Sequence, residues 1–185
     1  ETVSRDLGEP LAGTAPTAPA WVVIEQPGQW GAKALRDAAL PDGLGERLAA
    51  AAESTGVGIL LARHPSRPAR QAAGQRHAWV ADVRPGHERM HHGVLDDIAD
   101  VRDWDFAAIA AGTLPPLDGP AADPLLLVCT QGGRDACCAT IGRPLLAAIH
   151  GHLGARSHLA WEASHIGGHR FAPTMLVLPI GAVYG

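Results

Sequence analysis

The sequence predicts an α/β protein in two halves, the second better defined than the first. Three observations carry this reading. Short β-prone apolar runs alternate with stretches of strong helix formers. Residues 113–124, TLPPLDGPAADP, are crowded with Pro, Gly and Asp and read as a connection between halves. Beyond that connection lie all three cysteines and a His-Ile-Gly-Gly-His run. The expected division is an α/β region over 1–115, a linker over 116–123 and a second α/β domain over 124–185.

The elements follow in order. Residues 1–20 are rich in Ala, Pro, Thr and Gly and read as an irregular lead-in. Ala20 to Glu25 (AWVVIE) is predicted as a strand, and Gly45 to Ser54 (GERLAAAAES) as a helix. Val57 to Arg63 and His77 to Val83 read as two further strands, and Asp96 to Ala111 as a helix. In the second half, Pro124 to Cys129 (PLLLVC) is a buried strand, followed by a Gly-rich loop over 130–136. A helix is expected from about Cys138 to Ile149, kinked by Pro144. His158 to Ala163 and Thr174 to Pro179 are strands, Ile180-Gly181 a turn, and Ala182 to Tyr184 the opening of a fourth strand. The order β-α-β then β-β is the thioredoxin core without its last helix.

Composition narrows the function. The chain has 185 residues, 46% of them hydrophobic and 18% charged, which suits a globular fold with a real core. The formal net charge of −4 lacks the basic footprint of a general nucleic-acid binder. No apolar run approaches the roughly 20 residues that span a bilayer. The N-terminal ETVSRDLGEP has no basic patch leading into an apolar stretch, so no secretory signal and a cytoplasmic location are expected. Neither nucleic acid nor membrane is an expected partner.

Cysteine placement points to chemistry. Cys129, Cys137 and Cys138 fall within ten residues, and the rest of the chain has none. A disulfide scaffold would spread an even number along the chain, so a metal or redox site is the better reading. The segments CTQGGRDACC (129–138) and HIGGH (165–169) each follow a predicted strand. Strand ends that point the same way gather their loops, and ligands collect there. The cysteines and histidines are therefore expected to meet around one metal centre. Gly132, Gly133, Gly167 and Gly168 would allow close backbone approach, and Cys138 would sit at a helix N-terminus that favours a thiolate. A Cys2His2 zinc site takes the same donors and remains an alternative, although structural zinc usually uses closely spaced cysteine pairs. A thiol-redox site on the same fold is a second alternative, but there is no C-x-x-C.

These residues carry a resemblance. LLLVCTQGGRDACCATIGRPL and WEASHIGGHRFAPTMLVLPIGAVYG resemble bacterial members of the sucrase/ferredoxin-like family, and GTAPTAPAWVVIEQPGQWG at 13–31 extends the likeness into the first half. The family includes thioredoxin-like ferredoxins with a bis-histidinyl [2Fe–2S] cluster. The resemblance implies an electron-transfer protein whose cluster is held by Cys129, Cys138, His165 and His169, with Cys137 a neighbour that binds nothing. It implies redox donor and acceptor proteins as partners, in a carrier or redox module rather than a substrate-converting enzyme. Two neutral imidazoles in place of thiolates would ease reduction and allow proton uptake with the electron. The family's closing helix would follow Tyr184-Gly185, where this sequence ends. Pro173, in APTMLVLPIG, resembles the thioredoxin cis-proline and is expected to follow a cis bond.

Other motifs are weaker. His87-Glu88-Arg89-Met90-His91 fits H-E-x-x-H, but it follows Pro85-Gly86 and reads as a loop or frayed turn rather than the helix a zinc protease needs. His150 and His152 read as surface residues near a helix end. Arg134 and Asp135 read as a solvated pair, and Arg170 as a residue that tunes the centre or docks a partner. The five tryptophans read as core and interface bulk, with Trp161 shielding the centre.

Overall fold

The computed structural model describes Gly8 and residues 13–66, 74–121, 123–168 and 171–185. A single nine-stranded mixed sheet runs through it, in the order β5-β4-β3-β1-β2-β7-β6-β8-β9. The strands are β1 (Ala20–Glu25), β2 (Gly58–Arg63), β3 (Arg76–Asp82), β4 (Arg89–Leu95), β5 (Gly119–Pro120), β6 (Leu125–Cys129), β7 (Ala160–Ala163), β8 (Met175–Leu178) and β9 (Ala182–Tyr184). The helices are α1 (Ala34–Asp37), α2 (Leu44–Thr55), α3 (Phe106–Ala110) and α4 (Ala136–Leu153).

The same topology occurs twice. In the first half β1 and β2 are parallel and joined through α2, β3 lies antiparallel to β1, and β4 antiparallel to β3. In the second half β6 and β7 are parallel and joined through α4, with β8 antiparallel to β6 and β9 to β8. Each is a thioredoxin-like β-α-β-β-β unit. The halves meet where β2 and β7 pair antiparallel, with Ala62 opposite Ala163 and Arg63 opposite Glu162. The register correspondence extends to the strand ends. Glu25 faces Ala62 across β1–β2, as Cys129 faces Ala163 across β6–β7. The next amides, of Gln26 and Thr130, donate to the Ala62 and Ala163 carbonyls at 2.7 and 3.1 Å.

Strand alternation sends side chains to two faces. On one face Val22, Ile24, Leu44, Leu48 and Ile109 form a core beneath α2 and α3, while Val128, Leu146 and Ala160 form one beneath α4. The other face gathers Trp21, Val23, Trp79, Leu127, Cys129, Trp161 and Leu176. Trp79 and Trp161 meet edge to face with ring centroids 4.9 Å apart, which bears out their reading as core bulk.

Several elements differ from the sequence reading. Arg89–Leu95, whose first three residues were expected in a loop or frayed turn, is a strand, and the region expected as one helix over 96–111 is two short pieces. A 3-10 segment at Ile98–Asp103 is capped by Asp97, and α3 is capped by Asp105, with Trp104 extended between them. Two aspartate caps in quick succession start two helical turns rather than one long helix. The H-E-x-x-H residues lie on a turn and on β4, with His91 Nδ1 facing the Pro115 carbonyl at 3.3 Å, so the helical metalloprotease arrangement is not formed. His150, read as surface, is half-buried, with Nε2 2.8 Å from the Ala160 carbonyl and its ring stacked on His64. The Ala172–Pro173 bond is cis as expected, and so is Leu178–Pro179.

Candidate metal centre

The site is built at the ends of β6 and β7 and at the start of α4. Cys129 closes β6 and is fully buried. The loop then turns into α4, where the Asp135 carboxylate caps the helix by accepting the Cys137 amide at 2.8 Å. Asp135 therefore serves the helix rather than pairing with Arg134. The cap sets Cys138 in the first turn, where it too is fully buried. Cys137, one residue earlier, is half-buried at the margin of the same core. α4 comes close to β6 because Gly142 has no side chain. A Cβ there would run into the Cys129 carbonyl oxygen. Gly142→Ala is accordingly expected to destabilise the fold by about 1–3 kcal/mol, read as a lower urea midpoint, and to reduce metal uptake.

Beyond β7 the chain turns through His165. Gly167 and Gly168, at φ +112° and +64°, take the positive φ values that side chains avoid. Cys129 Sγ lies 4.0 Å from His165 Nδ1. The ligand atoms of Cys129, Cys138 and His165 all fall within 4.8 Å of one another. The structure thus gathers three of the four residues singled out in the sequence. His169 and Arg170 lie outside the described residues.

The electrostatics divide the two thiols. A hydrogen bond from Cys138 holds the Cys129 thiol well below its ordinary range, against the effect of burial. His165 and the backbone amides of Gln131 and Ile166 add to this. The same contact with Cys129, together with burial, pushes Cys138 up. The contact therefore favours charge on Cys129 over Cys138, and amide donors already point at the Cys129 sulfur.

Gln131 is the residue that sequence reasoning missed. It is buried, its Oε1 accepts the His165 amide at 2.7 Å, and its Nε2 donates to the Gly31 and Ala32 carbonyls at 2.8 and 3.2 Å. It fixes the histidine loop and ties it to the first half. Its only sequence signal was a long polar side chain within a glycine-rich loop. Thr130 beside it donates its hydroxyl to Glu162 Oε2 at 2.6 Å.

Fold and site together define a thioredoxin-like α/β protein in which two buried cysteines and a half-buried histidine form a group able to hold a metal ion. The chain belongs to the sucrase/ferredoxin-like family, whose profile matches residues 11–185. That membership suggests a redox-type role. No curated protein and no solved structure matches the chain. Among the described residues, no helix is long and apolar enough to cross a membrane.

Proposed function

We propose that the protein transfers single electrons through a [2Fe–2S] cluster held by Cys129, Cys138, His165 and His169. The observation that supports it most is the convergence of two buried thiols and one imidazole within 4.8 Å, at the loops that follow two parallel strands. The donor set suits the group. Thiolates and imidazoles are the ligands that such clusters take, and hydrogen bonds to the sulfurs help set their potential. The Gln131 and Ile166 amides directed at Cys129 supply such bonds. When bound, the cluster accepts and releases one electron. The chain's own residues position it: Asp135 sets the helix that carries Cys138, Gln131 fixes the His165 backbone, and the tryptophan-lined core excludes water behind Cys129. Its partners in this reading are redox proteins that give and take the electron.

Anaerobic purification followed by metal and acid-labile sulfide analysis tests the reading. The expected result is about two irons and two sulfides per chain. Full occupancy by zinc without sulfide would overturn it and identify a mononuclear site on the same donors.

A further inference from the structure

A pocket of about 290 Å³ opens beside His165, between the 32–36 segment of the first half and the Gln131–Arg134 loop of the second. Lys33, Arg36 and Arg134 line it, and all three are exposed. The one acidic residue lining it is Glu53, 3.8 Å from Arg36. Those two side chains are 49% and 76% exposed, so water weakens their pairing. Lys33, the chain's single lysine, and Arg134 join none of the ion pairs among the described residues. A pocket with excess positive charge therefore sits on a chain whose net charge is −4. Gln131 holds its two walls together, through its bonds to the Gly31 and Ala32 carbonyls.

We infer that this pocket binds an oxyanion, a carboxylate or phosphate group, directly beside His165. Guanidinium groups match both anions with paired hydrogen bonds, and a concave site strengthens the field of the cations around it. The volume lies near the lower limit of small-molecule pockets, which suits one such group rather than a large cofactor. The oxyanion is carried either by a free small molecule or by an acidic side chain of a redox partner. The first half then has a role in the centre's chemistry, because it supplies Lys33 and Arg36. A further consequence rests on the electron-transfer reading. A negative charge bound beside His165 opposes adding an electron, so the oxidised protein binds the anion more tightly than the reduced one.

The test uses the full chain, both metal-free and reconstituted with iron and sulfide. Inorganic phosphate and a capped tetraglutamate peptide are titrated while the backbone amide signals of Gln131 and His165 are followed by NMR. Metal-free protein gives these signals without paramagnetic broadening. Saturable shifts are expected, weakened about tenfold by Lys33→Gln and by Arg134→Gln. Arg156→Gln, an exposed arginine paired with Asp123 outside the pocket, serves as the control and leaves binding unchanged. Saturation by phosphate supports the pocket with a free ion as its source, and saturation by the peptide alone supports it with a partner side chain. Absence of saturable binding by either probe, or equal weakening in the control, overturns the inference. Binding by a protein that takes up no iron and sulfide on reconstitution supports the pocket while overturning the electron-transfer reading. Iron and sulfide without binding does the reverse.

Discussion

Cys129→Ser and Cys138→Ser are each expected to abolish stable metal binding, whereas Cys137→Ser retains it. The two sulfurs lie within ligand distance of each other and of His165, while Cys137 is no member of that group. A serine hydroxyl is a hard donor that stays protonated near neutral pH, so it is a much poorer ligand than a thiolate for zinc or a cluster iron. The expected loss of affinity is about 100-fold or more, since removing an outer-shell partner alone typically costs about 10–100-fold. Cys129→Ser should be the more damaging of the two. Its sulfur is the one that the Gln131 and Ile166 amides and the Cys138 thiol favour in the charged form. Metal and sulfide content with visible absorption reads the loss, and urea unfolding of the metal-free variants shows that the fold persists. Equal loss in the Cys137 and Cys138 variants would remove the assignment of Cys138.

Cys129, Cys138 and His165, the three residues that the structure brings together, were legible because spacing carries them. Two cysteines bracketing a glycine-rich loop after an apolar strand, and His165 just beyond another, come together because the two strands, β6 and β7, are parallel neighbours. The inner strands were equally legible, since AWVVIE and LLLVC are apolar runs bounded by turn formers. β4 was not. Its residues, RMHHGVL, mix histidines and glycine with few apolar positions, and only two of the seven are buried. What makes it a strand is its pairing with β3 along its whole length. There His92 also shares a 2.9 Å contact with His77 and stacks on Trp79. Strand formation of this kind depends on neighbours that the local sequence does not reveal. The doubling of the topology was hidden for a related reason. Backbone register places Glu25 where the second half has Cys129, but a carboxylate replaces the thiol and accepts the His77 amide at 3.0 Å. The correspondence lies in pairing rather than in residue type. Gln131 was illegible because the acceptors of its Nε2, the Gly31 and Ala32 carbonyls, come from the other half and its Oε1 partner, the His165 amide, from a loop 34 residues away.

That meeting point carries the largest expected effect on stability. Arg63→Ala is expected to destabilise the protein by about 2–3 kcal/mol, between the cost for an exposed pair and that of removing one partner of a fully buried one. Arg63 and Glu162 face each other across the β2–β7 pairing, with side chains only 22% and 12% exposed. Arg63 donates from Nε and from a terminal nitrogen to Glu162 Oε2 at 3.1 and 2.7 Å, and from its other terminal nitrogen to the Gly28 carbonyl at 3.1 Å. Its guanidinium also lies 4.5 Å from the centre of the Trp30 ring. Alanine removes all of this at once and leaves the Glu162 carboxylate with the Thr130 hydroxyl as its remaining bond among these. The loss falls on the pairing between the halves, and through Thr130 on the residue beside Cys129, so metal uptake should fall with stability. The double variant Arg63→Met, Glu162→Leu separates charge from packing. Apolar replacement of both members of a buried pair is often neutral or stabilising, so this variant should recover much of the loss. Full recovery is not expected, because the buried Thr130 hydroxyl would lose its acceptor, at about 1–3 kcal/mol. Urea unfolding of wild type, Arg63→Met, Glu162→Leu and the double variant closes the cycle. A loss below about 1 kcal/mol in Arg63→Ala, the level of an exposed pair, would show that water reaches the pair and that the ion pair does not hold the halves together.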